Sequence, residues 1–188
     1  MLLRLRDIPN LLTVLRILLV PPIVWSLLAQ RFDRALLLFF VAGLSDGLDG
    51  YLAKQFDWSS RLGALLDPLA DKLMLLSSYL ALAWLGLLPV WLVVLVLVRD
   101  LVIVGGAVTY HFRVERVDAA PTIISKLNTL LQILLVLLVI AARAFDWEIA
   151  APMQMLVYAV GVSTVWSGVD YVITWSRLAR RHGGASNP

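Results

Sequence analysis

Four aspartates in a chain otherwise rich in apolar residues are the groups best able to do chemistry. Asp46, Asp49, Asp67 and Asp71 all lie between Ser45 and Lys72. Asp46 and Asp49 are three residues apart, and Asp67 and Asp71 are four apart. Either spacing puts a pair on one face of a helix. Gly50 and Ala53 continue the first face and Gly63 begins the second, so small residues leave room beside the carboxylates. If two such helices face each other, the carboxylates converge. Carboxylates that close do not all stay ionised without a positive partner, and Lys54 and Lys72 are too few and too mobile to serve alone. Oxygen-only donors favour magnesium, calcium or manganese over zinc or copper. Two divalent ions balance four carboxylates, and paired metals clamp the attacking and leaving oxygens of a phosphoryl transfer.

The elements that position these residues must stand in a membrane. The chain has 188 residues and is 61% hydrophobic, with mean hydropathy +0.86. A soluble domain is nearer 45–50% apolar, roughly. The expected fold is therefore an all-α integral membrane protein. Its length suits about six transmembrane helices of roughly 20 residues each. Cysteine is absent, which excludes a disulfide framework, a thiol nucleophile and a thiolate metal site. The net charge of +3 and the pI of about 9.5 point to basic loops on anionic lipid, with no nucleic-acid partner. The opening Met-Leu-Leu-Arg-Leu-Arg-Asp has neither a signal-peptide nor a transit-peptide pattern. That favours a bacterial cell (inner) membrane.

Residues 2–8 alternate leucine with arginine, which reads either as a short N-terminal interfacial segment or as a frayed basic terminus. The first spanning helix is expected from Asn10 to about Ala29, with a kink at Pro21-Pro22. Arg16 lies within it, either snorkelling to the interface or facing the polar site to bind a phosphate. The second helix runs from Ala35 to near Lys54, followed by a loop over Gln55–Leu62. Gly63 opens the third, which ends near Leu85. Pro68 means that Asp67 either caps a new helix or marks a kink. The fourth runs from about Val90 to Tyr110 and carries the adjacent pair Arg99-Asp100, whose side chains leave a helix in different directions. After a polar loop over His111–Pro121, the fifth starts near Thr122 with Ser125, Lys126, Asn128 and Thr129 in its first turns. The sixth runs from about Ala151 to Ser176, and a basic tail follows. One domain over 1–182 and a disordered tail over 183–188 complete the expectation.

Lysine and arginine set the orientation. Six spans put Arg4, Arg6, Lys54, Arg61, Arg113, Arg116, Arg177, Arg180 and Arg181 on one side, and only Arg31, Arg34 and Arg143 on the other. The positive-inside rule places both termini and the carboxylates at the cytoplasmic face. A substrate with a lipid tail and a water-soluble head suits such a site.

The central stretch resembles the signature of the CDP-alcohol phosphotransferases: Asp-x-x-Asp-Gly-x-x-Ala-Arg, eight residues, then Gly-x-x-x-Asp-x-x-x-Asp. Asp46, Asp49, Gly50, Ala53, Gly63, Asp67 and Asp71 match it at every spacing, and Lys54 stands where the family usually has Arg. Lysine keeps the charge but loses the planar fork. The stretches Ile8–Arg16 and Leu66–Lys72 resemble those of phosphatidylglycerophosphate synthases and CMP-forming cardiolipin synthases alike. Arg99-Asp100 and Pro121-Thr-Ile-Ile-Ser-Lys-Leu-Asn-Thr129 are more similar to the cardiolipin synthases.

The resemblance implies a transfer of a phosphatidyl group from CDP-diacylglycerol to phosphatidylglycerol, with glycerol 3-phosphate as the alternative acceptor. It implies two Mg2+ or Mn2+ ions on Asp46, Asp49, Asp67 and Asp71, with Asp71 also the general base. It implies CDP-lipid contacts at Asp46, Gly50, Ala53, Lys54 and Gly63, and acceptor-phosphate contacts at Arg16, Arg99, Lys126 and Asn128. A homodimer among membrane lipids is the expected assembly, with Gly105-Gly106 available for close helix packing.

Overall fold

The computed structural model describes residues 8–56, 61–113 and 122–183, and within them the side chains of 10–48, 55–56, 66–105 and 122–173. Among the described residues there are six helices: α1 (Ile8–Leu28), α2 (Phe32–Phe56), α3 (Arg61–Trp84), α4 (Val90–Arg113), α5 (Ile123–Ala144) and α6 (Ala150–Gly183). Among the described residues three spans, Asn10–Leu28, Ile123–Ala144 and Ala150–Ile173, are long and apolar enough to cross a membrane. Helices satisfy their own backbone groups, which is what a chain in hydrocarbon requires. Large apolar side chains such as Leu18, Trp25, Trp84 and Trp166 stand exposed, as a surface in contact with lipid demands.

Helix ends follow local chemistry. Gln30, Gly86 and Asp146 adopt positive φ (56°, 70° and 52°) in the links that close α1, α3 and α5. Thr122 caps α5: the Ser125 N–H donates to Thr122 Oγ1 at 3.2 Å. The prolines do not end their helices. α1 continues through Pro21 and Pro22, where Ser26 Oγ donates to the Pro22 carbonyl at 2.7 Å. α3 continues through Pro68, so Asp67 lies inside a helix and does not cap one. α6 runs past the expected end at Ser176 to Gly183. Its 34 residues extend about 51 Å at ~1.5 Å per residue, against a hydrocarbon core of about 30 Å. Arg177, Arg180 and Arg181 are good helix formers whose charge suits a helix C-terminus. The expected interfacial segment, the 57–60 link, the loop before Pro121 and the tail after Gly183 lie outside the described residues.

The chain divides into two compact units. The first comprises Met1–Leu88 with Val136–Ile149, and the second Pro89–Leu135 with Ala150–Pro188. In the first, α1 packs on both α2 and α3. Ile23 and Leu27 of α1, Ala35, Phe39 and Ala42 of α2, and Ala70, Met74 and Leu82 of α3 are buried. The intervals of three and four among them are those of a single helix face. In the second unit α4 packs on α6. A Cβ added at Gly161 would come within 3.0 Å of the Trp91 ring, so glycine is what lets that ring lie against α6. Trp91 also stacks on Tyr158, with centroids 6.2 Å apart and planes 22° apart.

Candidate functional site

The first unit gathers the aspartates around α1. Asn10, Thr13 and Arg16 recur every three residues and share a face of that helix. Thr13 and Arg16 are fully buried, at 1% and 0% exposure. The Thr13 hydroxyl donates to Asp67 Oδ1 on α3. The Arg16 guanidinium splits between two helices. Its Nη2 donates to Asp46 Oδ1 on α2 at 2.7 Å, and its Nη1 to Asp71 Oδ1 on α3 at 2.5 Å. Charge-assisted bonds from a rigid planar fork fix the carboxylates as well as attract them. The Asp46 and Asp71 side chains are each 51% exposed. The arrangement has a cationic wall on the buried side and carboxylates open on the other.

Three of the four aspartates singled out by spacing are thus brought together, and Arg16 turns towards them instead of snorkelling. Asp49, Gly50, Ala53, Lys54 and Gly63 fall within α2 and α3, but their side-chain positions lie outside the described residues. The donor chemistry suits a hard divalent ion, because the available groups are carboxylate oxygens facing an open side. Among the described residues, however, no three acidic, histidine or cysteine side chains form a group that could hold a metal. Arg16 bridges two of the carboxylates that such a group would need.

A second polar cluster lies within the second unit. Arg99 on α4 is 7% exposed. Its Nη1 donates to the neighbouring Asp100 Oδ1 at 2.7 Å. Its Nε and Nη2 donate to Ser167 Oγ on α6 at 3.2 and 2.7 Å, and Nη2 also to Ser125 Oγ on α5. Arg99 and Asp100 thus bond to each other although adjacent side chains leave a helix in different directions. Asn128 is fully buried, and its Oδ1 accepts from Ser163 Oγ at 2.7 Å and Thr164 Oγ1 at 2.9 Å. Lys126, two residues earlier, is exposed.

The sequence reading did not single out Ser163, Thr164 or Ser167. The signal was present: three hydroxyls at intervals of one and three residues in the apolar run of α6. Polar groups in such helices turn towards other helices. Thr13, one turn before Arg16 on α1, is a direct partner of Asp67.

The stretch that holds these residues is also the stretch that known proteins match. The family model for CDP-alcohol phosphatidyltransferase matches residues 6–167. The chain is 33% identical to the CMP-forming cardiolipin synthase of Rattus norvegicus, over 87% of this chain and 60% of that protein. It is also 33% identical to the CMP-forming cardiolipin synthase of Streptomyces coelicolor, over 94% of this chain and 86% of that protein. A probable phosphatidylglycerophosphate synthase of Mycobacterium tuberculosis H37Rv is 33% identical as well, over 96% of this chain and 86% of that protein. This chain spans only about three-fifths of the rat protein's own length, 60%. With the match covering most of its length, the chain belongs to the CDP-alcohol phosphatidyltransferase family.

Proposed function

We propose that this chain transfers a phosphatidyl group from CDP-diacylglycerol to the free hydroxyl of phosphatidylglycerol, giving cardiolipin and CMP. The observation that carries the proposal is the gathering of Asp46, Asp67 and Asp71, at the spacing of the family signature, around Thr13 and Arg16. The rat and Streptomyces relatives, both CMP-forming cardiolipin synthases, support the acceptor.

The acceptor oxygen forms a bond to the lipid-linked phosphorus, and the bond from that phosphorus to the bridging oxygen breaks. CMP leaves with the electron pair. Asp71 takes the hydroxyl proton. Asp46, Asp49, Asp67 and Asp71 would hold two divalent ions, Mg2+ or Mn2+, in a family that generally depends on divalent metal. When bound, such ions neutralise charge on the attacked and leaving phosphates. Gly50, Ala53 and Gly63 leave room for the cytidine, and Asp46 and Lys54 border the pyrophosphate. Arg99, Lys126 and Asn128 take the acceptor phosphate, whereas Arg16, expected to share that task, is fully buried and committed to Asp46 and Asp71. Ser125 and Ser167 orient Arg99 for that task.

The six helices are read as six transmembrane segments of one domain, with both termini and the aspartates at the cytoplasmic face of a bacterial inner membrane and two copies forming a homodimer. A second reading has support of its own. The mycobacterial relative, named a phosphatidylglycerophosphate synthase, is as similar as the cardiolipin synthases. In that reading the acceptor is glycerol 3-phosphate.

An acceptor comparison on the purified chain tests the choice. CDP-diacylglycerol and Mn2+ are supplied with phosphatidylglycerol or glycerol 3-phosphate, and CMP and lipid product are followed. Cardiolipin from phosphatidylglycerol alone is the expected result. Phosphatidylglycerophosphate from glycerol 3-phosphate selects the second reading, and CMP with neither acceptor refutes both.

A further inference from the structure

We infer that Arg16 is a built-in cation that holds the aspartates in place of a divalent ion, so that loading the ion and keeping the Arg16 bridge exclude each other. The inference rests on the metal reading above and is independent of the acceptor.

A guanidinium with 0% exposure has no water to solvate it, so it must find anions. Arg16 finds them on two different helices, at 2.7 Å from Asp46 Oδ1 and 2.5 Å from Asp71 Oδ1. With one guanidinium the first unit ties α2 and α3 to α1. That relieves the repulsion between carboxylates which otherwise calls for an external cation. The same two carboxylates are half open to the outside, at 51% each. An ion arriving there approaches the oxygens from the side opposite Arg16. Its charge and that of the guanidinium repel at contact distance. A small ion draws oxygens in to about 2.0–2.1 Å, which pulls Asp46 and Asp71 away from the positions in which the fork holds their Oδ1 atoms. Arg16 is thereby a positioning residue with two consequences. The ion-free protein keeps its fold at the site, and its metal affinity is set by a competition.

Arg16→Gln removes the charge while keeping a polar, flexible side chain, and Arg16→Lys keeps the charge without the fork. Each is purified in detergent alongside the wild type. Free Mn2+ is titrated by its electron paramagnetic resonance signal, and unfolding is followed by tryptophan fluorescence with chelator or with Mn2+. In chelator the wild type unfolds cooperatively and Arg16→Gln melts several degrees lower. The half-saturating Mn2+ concentration falls about tenfold in Arg16→Gln, and its Mn2+-induced rise in Tm exceeds that of the wild type. Arg16→Lys shifts in the same direction by about threefold, and it decides the matter if Arg16→Gln does not fold. A half-saturation that is unchanged or higher in the variants overturns the competition, since a merely structural arginine would lower Tm without tightening the metal. A wild type that takes up no Mn2+ overturns the metal reading itself and the inference with it.

Discussion

Thr13→Val isolates one hydroxyl at the site. Thr13 is 1% exposed, and its Oγ1 donates to Asp67 Oδ1. Valine keeps the branched shape and puts a methyl where the hydroxyl was, so no large cavity forms. What is lost is a hydrogen bond to a charged acceptor, worth about 1.5–3 kcal/mol. Asp67 is only partly buried, so water recovers some of that loss and the lower end applies, about 1.5 kcal/mol. At 1.36 kcal/mol per factor of ten, roughly, kcat/KM falls about tenfold. The same loss lowers Tm by about 3–6 °C, at about 2–4 °C per kcal/mol in a chain this size. The assay is CMP release from CDP-diacylglycerol at saturating Mn2+, run beside a melting curve. Thr13→Ser restores the donor and should restore most of the rate. Wild-type activity in Thr13→Val, or equal impairment in Thr13→Ser, refutes the claim that this hydroxyl orients Asp67 for the reaction.

Asp71→Asn should bind CDP-diacylglycerol and yet release no CMP, as judged by equilibrium binding and turnover on one preparation; full turnover removes Asp71 from the base role. Arg99→Ala strips the bonds to Ser125 and Ser167 and takes the guanidinium away from Asp100. Its expected cost in stability is about 3 kcal/mol, the low end for breaking a buried pair, because Asp100 keeps 28% exposure. A melting curve within a degree of wild type contradicts that. Gly161→Leu drives a side chain into the Trp91 ring, whose atoms lie 3.0 Å from the position of a Cβ. It should destabilise by about 1–3 kcal/mol, and Trp91→Ala in the same chain should relieve part of the loss. Thermal unfolding of the single and double variants separates the two outcomes.

What the sequence by itself determined is what depends on composition and short intervals. An apolar chain broken by turn residues becomes helices, and their borders, the C-terminal end of α6 excepted, came within a few residues because Gly86-Leu-Leu-Pro89 and Pro121-Thr122 act locally. Intervals of three and four put the aspartates on shared faces, and the signature spacing carried the family. Where sequence left two readings, the decision rested on contacts far along the chain. Pro68 was compatible with a cap or a helix interior, and α3 runs through it. Arg16 could snorkel or turn inward, and burial against α2 and α3 sends it to Asp46 and Asp71. No interval along the chain relates Thr13 to Asp67, 54 residues away, or Asn128 to Thr164, 36 residues away. A buried polar group takes whichever partner the packing of helices brings within about 3 Å. Local pattern therefore chose the residues that carry charge and hydroxyls, and only the tertiary structure decided which of them answer one another.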